Sequence, residues 1–324
     1  MNKHAARLWS TWLDSSARKM ARGDSNGAVF IKALLISFTK ELFRFEHEQT
    51  KFASGELITI DTSDNPGSDS VGYATVESVG DADIVAPDAT EIPSADVRSG
   101  FKIIKAETVA TSFHFSTQDL RQASMQGNLD IAGEKARSAR RAFDVRLDAL
   151  IRNGVPALGM QGILNLSDSK METATTGDWS NTATTPAQIS ADVRQAYNSI
   201  YVGTRGVYAP DTAVFSTQAW QRLTTEPYQI GVPMTIMEWL MKAYPGIKKW
   251  TDDVHLDDAG EGGNGDAFLL YLNNRDAIRA AMPMILTPAG PLEQKGLVYH
   301  QVLEARYAGL KAPLARTVCK MSGI

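Results

Sequence analysis

The stretch TQDLRQASMQGNLDIAGEKARSARRAFDVRLDALIRN, residues 117–153, decides the fold that this sequence can adopt. Its apolar residues recur at steps of three and four, which places them on one face of a predicted α-helix. They are Leu129, Ala132, Ala136, Ala139, Phe143, Leu147 and Leu150. Ser116 is an N-cap candidate, and Gly154 followed by Pro156 ends the helix. One helix of this length would measure about 55 Å, far more than an ordinary globular helix, and we call it the strut.

The polar side of the strut is basic. The stretch carries seven basic and five acidic residues. Four arginines lie on the side away from the apolar stripe: Arg137, Arg140, Arg141 and Arg146. Gly127 and Gly133 lower the helix propensity of the first half, which leaves a bend or break there open. A long helix with one apolar stripe is expected to support other elements laid across it.

Composition bounds the class of protein. With 43% hydrophobic and 22% charged residues, the 324-residue chain is typical of globular rather than disordered proteins. A net charge of −4 argues against nucleic-acid binding by overall charge. The single cysteine, Cys319, excludes an intrachain disulfide and a cysteine zinc cluster, and we expect it to be a buried, inert thiol. The sequence shows no membrane-length apolar run and no convincing secretory signal, so we expect the chain to fold inside the cell.

The segments before the strut differ sharply in charge. Residues 1–53 have a net charge of +4 and contain two amphipathic helical pieces, at 5–22 and 28–45, which must dock either on the rest of the chain or on a neighbour. Residues 54–100 have a net charge of −9. They contain predicted strands at 57–60 and 71–79, with turn chemistry at Asn65-Pro66-Gly67 between them. This β-excursion has too little apolar mass to fold alone, so we expect it to be disordered or buried on another subunit.

The remainder reads as α+β, because helices and strands interleave without a regular βαβ rhythm. A strand-type run over 101–115 leads into the strut. Helices are predicted at 186–202, 217–224 and 234–244, with Ser216 capping the second. Strands are predicted at 211–215, 247–250, 267–273, 277–281, 301–310 and 316–321.

Motifs for catalysis are absent from the sequence. It contains no phosphate-binding loop, no dinucleotide fingerprint, no HExxH and no GxSxG elbow. The acidic loop 252–266 is the best metal candidate, because hard cations prefer several oxygen ligands, but it lacks EF-hand spacing. A competing interpretation is therefore a metal-dependent enzyme that uses this loop as its site and residues 54–100 as a lid. We assign no catalytic, cofactor-binding or metal residue and expect the protein not to be an enzyme.

The order of parts resembles the major capsid protein of tailed bacteriophages. The junction Asn153-Gly154…Gly162-Ile163-Leu164-Asn165 is similar to the family's "G…GLLN" step after its spine helix, with Ile163 in place of leucine. Residues 299–309 and the closing strand resemble the family's return into its peripheral domain. The resemblance implies an α+β phage major capsid fold with the following parts: an N-terminal arm at 1–53; an extended β-loop at 54–103; a peripheral domain at 104–164 with the spine helix at 117–153; an axial domain at 165–290; and a return to the peripheral domain at 291–324.

The resemblance also implies a function. We expect the chain to self-assemble as hexamers and pentamers into an icosahedral virion shell, built in the host cytoplasm, that encloses DNA without sequence-specific binding. A portal and a separate scaffolding protein are expected partners, since 53 residues are short for a cleaved scaffolding domain, and no cofactor or membrane is expected. An encapsulin-like compartment shares the fold and remains the alternative. Predicted intersubunit contacts pair the strut with the loop, and they are Arg137, Arg140, Arg141, Arg146, Asp81, Asp83, Asp88 and Glu91. The loop 252–266 is expected near a five- or six-fold pore.

Overall fold

The strut stretch folds as two helices, α1 (Thr117–Met125) and α2 (Ile131–Asn153), in a computed structural model. The structure describes residues 46–84, 92–125, 130–229, 231, 233–260 and 265–324. Asp130 belongs to neither helix and directly precedes α2, where aspartate is favoured as a cap. Of the two possibilities that the sequence left open, one continuous helix or a bend or break in the first half, the structure has two separate helices. Gly127, which was expected to weaken the helix, lies outside the described residues.

The chain divides into two compact units. Residues 1–48 and 118–131 form the first, and residues 49–117 and 132–324 form the second. In the described part of the first unit, α1 buries Ala123, and the Ser124 hydroxyl donates to the Arg121 carbonyl. The predicted helical pieces at 5–22 and 28–45 lie outside the described residues. No helix in the described ranges combines the length and apolarity needed to cross a bilayer.

Helix α2 buries the apolar stripe that its sequence predicts, over the second half of the strut. Ala139, Phe143, Leu147 and Leu150 are buried, whereas Ala132 and Ala136 are half-buried. Phe143, Leu147 and Leu150 of the stripe belong to one hydrophobic core, which also contains Phe52 and Tyr307.

Two glycines shape the junction after α2. Gly154 has φ 64°, and a Cβ there would lie 2.3 Å from the Met160 carbonyl oxygen. A Cβ on Gly162 would lie 2.3 Å from the Arg152 carbonyl oxygen. The Asn165 amide donates to the Asn153 carbonyl at 2.7 Å, which satisfies an end of the helix. The junction motif therefore places two backbone segments in direct contact.

The described part also contains sixteen strands, three further α-helices and four short 3₁₀ helices, which lie at Pro156–Leu158, Ile163–Asn165, Val254–Leu256 and Ala315–Thr317. The strands before α2 are β1 (Ile60–Asp61), β2 (Ser70–Gly80), β3 (Ala95–Lys105) and β4 (Glu107–Ser116). Those after it are β5 (Gly154–Val155), β6 (Met160–Gln161), β7 (Lys170–Thr173), β8 (Thr212–Phe215), β9 (Lys249–Asp252), β10 (Ala267–Tyr271), β11 (Arg279–Ala281), β12 (Met284–Pro288), β13 (Glu293–Lys295), β14 (Val298–Tyr307), β15 (Gly309–Lys311) and β16 (Val318–Ser322). The helices are α3 (Pro186–Tyr201), α4 (Thr217–Thr225) and α5 (Ile236–Ala243).

A five-stranded sheet in the order β7-β16-β10-β8-β9 forms one layer of the second unit. Helices α3, α4 and α5 share a second hydrophobic core with it, centred on Trp179, Phe215 and Phe268. Strand β16 lies between β7 and β10. The predicted return of residues 291–324 to the peripheral part is thus corrected for β16, because its apolar residues complete this sheet.

A second group of strands surrounds α2. Strand β4 pairs with all ten residues of β14, which also pairs with β12 and β13. Strand β11 pairs with β1 and β15. Residues 279–288 therefore belong to this group, and the predicted boundary at 290 lies too late in the chain. The predicted strand run over 101–115 is broken at Ala106, since β3 and β4 enter different sheets.

The predicted boundary between arm and loop, at residue 53, passes through a packed segment. Phe52, Leu57 and Ile58 are fully buried in the core around α2. The Tyr271 hydroxyl donates to the Leu57 carbonyl at 2.8 Å. The long β-hairpin proper begins later, at Ser70.

Candidate assembly surfaces

The hairpin of β2 and β3 has two chemically different faces. Eleven residue pairs join the strands, and directly opposed residues share a face. One face carries the pair Ser70 and Lys105 at the base of the hairpin and is otherwise uncharged. We call its uncharged part the apolar face, and it comprises Gly72, Ala74, Val76, Ser78, Gly80, Ala95, Val97, Ser99, Phe101 and Ile103. The opposite, charged face comprises Val71, Tyr73, Thr75, Glu77, Val79, Asp96, Arg98, Gly100, Lys102 and Ile104.

The apolar face is open to solvent in the single chain. Val97, Ile103, Val76 and Phe101 are 58% to 72% exposed. A Cβ on Gly72 would lie 2.8 Å from the Phe101 ring, so this glycine leaves room for the ring. Contiguous exposed apolar surface of this kind marks a site of protein contact. An isolated two-stranded ribbon is also only marginally stable without such a partner.

The charged face packs on the chain itself near the base of the hairpin. Val71 is buried with Ala281 and Ala308, and Tyr73 is buried beside Ala312. This packing explains the orientation of the ribbon: one face is used internally at the base, and the apolar face remains available.

Ionic contacts also hold the base of the hairpin. The Lys311 ammonium, which is buried, lies 2.7 Å from the Asp64 carboxylate. The Arg306 guanidinium donates to the Pro66 carbonyl at 2.7 Å, and the Ala106 amide donates to the Asp69 carbonyl at 2.9 Å. The turn at 62–69 is therefore fixed to the strands that surround α2.

The predicted contact arginines occupy the solvent side of α2. Arg137 pairs with Glu134 at 2.5 Å, and Arg140 lies 3.9 Å from Asp144, so both pairs are local to the helix. Burial raises the pKa of Asp144, while Arg140 and Arg141 act to lower it. Arg146 is exposed and Arg141 is half-buried. These side chains can meet a partner with little rearrangement.

The predicted acidic partners lie beyond the end of β2. Asp81 and Asp83 are exposed, and the Asp83 carboxylate accepts from the Ile84 amide at 2.8 Å. Asp88 and Glu91 lie outside the described residues. Their pairing with the arginines of another copy therefore stays a prediction.

Three carboxylates of loop 252–266 accept backbone hydrogen bonds: those of Asp253, Asp257 and Asp266. Asp253 accepts from the His255 amide at 3.0 Å, and Asp257 accepts from the Thr217 amide at 2.8 Å. Asp266 accepts from the Asp258 amide at 3.1 Å. Over the described ranges, which omit 261–264, no three His, Cys, Asp or Glu side chains are arranged to hold a metal ion. What these carboxylates do here is stabilise turns and the start of α4.

Sequence reasoning missed the apolar face, although its signal is in the sequence. Ala74, Val76 and Ser78 alternate with Thr75 and Glu77, which is a period-two pattern. The exposure of this face follows from the pairing of β2 with β3, which places Val76, Val97, Phe101 and Ile103 on the same side of the hairpin.

The sequence and the fold of the chain are similar to those of known capsid proteins. A family model described as major capsid protein matches residues 80–324. The fold is similar to the capsid of Myoviridae phage XM1, with TM-score 0.76 and 18% identity over 90% of this chain and 97% of that one. It is similar to a chain from Mycobacterium phage Bobi, with TM-score 0.60 and 15% identity over 90% and 96%. A virus-like particle from Pyrococcus furiosus matches with TM-score 0.52 and 12% identity over 82% and 91%. No curated protein matches the sequence.

Proposed function

The chain belongs to the major capsid protein family, and from this premise we propose that its copies associate as hexamers and pentamers into an icosahedral shell around a viral genome. It is a shell-forming structural protein and a component of the virion. Such a role is structural rather than catalytic. The shell encloses DNA without sequence-specific contacts, assembles in the host cytoplasm, and is completed by a portal and a separate scaffolding protein.

The apolar face of the hairpin is the observation that carries this proposal. Its exposed Val76, Val97, Phe101 and Ile103 need a partner surface, and the hairpin base is fixed on its own chain. In a shell the partner present at every position is a second copy of the chain. Each apolar face is therefore covered by a neighbouring copy, and the contact is repeated around the shell.

The remaining parts have proposed places in the shell. Residues 1–48 serve as an arm. The part of the second unit that is built on the five-stranded sheet forms the axial part. The loop 252–266 lies near the five- or six-fold pore, where an acidic, glycine-rich loop is well solvated. The strut arginines, Arg137, Arg140, Arg141 and Arg146, meet the carboxylates of a neighbouring hairpin loop, including Asp81, Asp83, Asp88 and Glu91.

An assembly assay tests the role of the apolar face. The variant Val76→Asp/Val97→Asp places two charges on that face, and the control Thr75→Asp places one on the charged face of the same hairpin. We expect the double variant to lose particle formation in sedimentation and negative-stain images, while its thermal unfolding as an unassembled chain stays close to that of the wild type. Normal particles from the double variant would overturn the proposal.

An encapsulin-like compartment is the second candidate, favoured by the similarity to the Pyrococcus furiosus virus-like particle. Both candidates form shells, so the contents discriminate between them. Particles purified from the native source should contain DNA protected from nuclease if the shell is a capsid. Protein cargo without DNA would favour the compartment.

A further inference from the structure

Three distant segments meet in a cluster of charges at the end of α2, in which Asp148, Arg152 and Asp253 are buried and Lys51 and Asp252 are half-buried. The Asp148 carboxylate accepts from the Phe52 amide at 2.9 Å and from the Ala53 amide at 3.2 Å. The Lys51 ammonium lies 2.8 Å from the Asp252 carboxylate at the end of β9. We call the five charged residues of this cluster the clasp: Lys51, Asp148, Arg152, Asp252 and Asp253. The clasp holds residues 51–53, near the start of the second unit at residue 49. The contacts come from both α2 and the five-stranded sheet.

The Nε atom of Arg152 is one buried polar atom of the clasp without a hydrogen-bond partner, and the other such atom belongs to Asp253. Asp253 is 5% exposed, and one of its carboxylate oxygens, Oδ2, is buried without a hydrogen-bond donor. Its other oxygen accepts from the backbone of His255. The charged or titratable groups that face it from the packed elements are Lys51, Asp148, Arg152, Asp252, Tyr271 and the neighbouring His255.

The clasp contains one more carboxylate than it has cations. Arg152 lies 3.2 Å from Asp148, and Lys51 is engaged by Asp252, which leaves Asp253 without a cation of its own. Burial is the largest effect on Asp253; Arg152 opposes it and Asp148 adds to it, and together these effects raise the pKa of Asp253 to about 6. An ionised Asp253 competes with Asp148 for Arg152 and with Asp252 for Lys51.

We propose that the clasp is a proton-dependent latch on residues 51–53, which is tightened by a proton on the buried Asp253 carboxyl and loosened when that proton is lost. When Asp253 is neutral, the cations Lys51 and Arg152 face the carboxylates of Asp252 and Asp148. Asp148 then keeps its hydrogen bonds from the amides of Phe52 and Ala53. When it is ionised, local opening hydrates the third carboxylate and relieves the excess charge. The latch therefore opens more readily at neutral pH than at mildly acidic pH.

Hydrogen–deuterium exchange of the full chain measures this opening. The readout is the protection of the Phe52 and Ala53 amides divided by that of the β10 amides in the same sample, because the ratio cancels the chemical pH dependence of exchange. We expect this ratio to fall by up to about tenfold between pH 5 and pH 7.5, as a group with a pKa near 6 when closed and near 4 when open requires.

Two variants separate Asp253 from its neighbours. The variant Asp253→Asn cannot ionise and should give a ratio that does not change with pH. The matched control Asp258→Asn removes an exposed carboxylate from the same loop and should behave as the wild type does. A wild-type ratio that is constant from pH 5 to pH 7.5, or an unchanged pH dependence in Asp253→Asn, would overturn the proposal. If Asp253→Asn does not fold, the wild-type measurement alone decides.

Discussion

The Arg152 guanidinium and the Asp148 carboxylate lie 3.2 Å apart, one turn from each other on α2, and their side chains are 5% and 2% exposed. Each therefore depends on the other for compensation of a charge that is removed from water. Asp148 also accepts two backbone hydrogen bonds, so the pair joins the end of the helix to residues 52–53.

Removing Asp148 should be strongly destabilising. The variant Asp148→Ala removes the ion-pair partner that Arg152 has on α2 and leaves two amides without an acceptor, and we expect a loss of about 3–5 kcal/mol in the free energy of unfolding. Denaturant unfolding of the unassembled chain measures it. The control Asp144→Ala, on a half-exposed carboxylate one turn earlier, should cost less than about 1 kcal/mol. Equal effects of the two substitutions would show that burial of the pair is not what matters.

Acid should weaken the ion pairs of the buried Asp61 carboxylate, which lies 3.1 Å from the Arg275 guanidinium and 3.2 Å from that of Arg279. Burial acts to raise the pKa of this carboxyl, but hydrogen bonds from Ser63 and the charges of Arg279 and Lys311 together lower it. A lowered folded-state pKa contributes stability above the unfolded value near 4, and this contribution is lost as the pH falls through the folded value. The stability difference between wild type and Asp61→Asn should therefore shrink between pH 6 and pH 3. A difference that grows towards pH 3 would contradict this sign. Asp69→Asn, whose side chain is 99% exposed, is the control.

The strut arginines should matter more for assembly than for folding. Arg140 is 68% exposed, and its nearest carboxylate is 3.9 Å away, so it contributes little within one chain. We expect Arg140→Ala/Arg141→Ala to reduce particle yield at low salt, and high salt to reproduce part of the defect in the wild type. The double variant Arg194→Ala/Lys242→Ala removes the same charge elsewhere and is the control. A wild-type yield from the strut variant would assign its arginines another role.

The loop at 174–185, between β7 and α3, should depend on Asp192 for its folded conformation. This carboxylate is 1% exposed and accepts from the Trp179 indole at 3.0 Å, from the Thr175 amide at 3.3 Å and from the Thr176 hydroxyl. Replacement by alanine leaves these donors unsatisfied, and we expect a loss of at least about 2 kcal/mol. Thermal unfolding and Trp179 fluorescence measure it. Asp192→Asn keeps one acceptor oxygen and should lose less; a larger loss in the asparagine variant would argue against this account.

Capping residues and apolar periodicity predicted well the three helices that pack on the five-stranded sheet, α3, α4 and α5. Pro186 begins α3 as expected, and Ser216 caps α4 by accepting from the Ala219 amide. Thr235 forms a capping box with Glu238 at the start of α5. Caps and apolar periodicity act over a few residues, so they can be read without knowing the rest of the fold.

Long-range pairing could not be predicted in the same way. Strand β16 pairs with Lys170–Thr173 and with Ala267–Tyr271. The five residues of β16 contain no signal from which these two partner strands could be predicted. The burial of Leu57 and Ile58 depends on α2 and on Tyr271, more than two hundred residues later in the chain. The apolar face of the hairpin was partly predictable. Its period-two alternation is visible in the sequence, but its exposure depends on the pairing of β2 with β3.

The position of β16 has a consequence for synthesis. Translation delivers β7, β8, β9 and β10 first, and the strand that joins β7 to β10 is made last of the five. Until residues 318–322 leave the ribosome, β7 has no neighbour in this sheet and β10 presents an unpaired edge. A nascent chain therefore cannot close this layer early, and premature termination upstream of β16 yields a product with an open sheet edge for proteases and chaperones to recognise. Strand β16, one position in from the edge of this sheet, is therefore required before a chain can supply a finished building block.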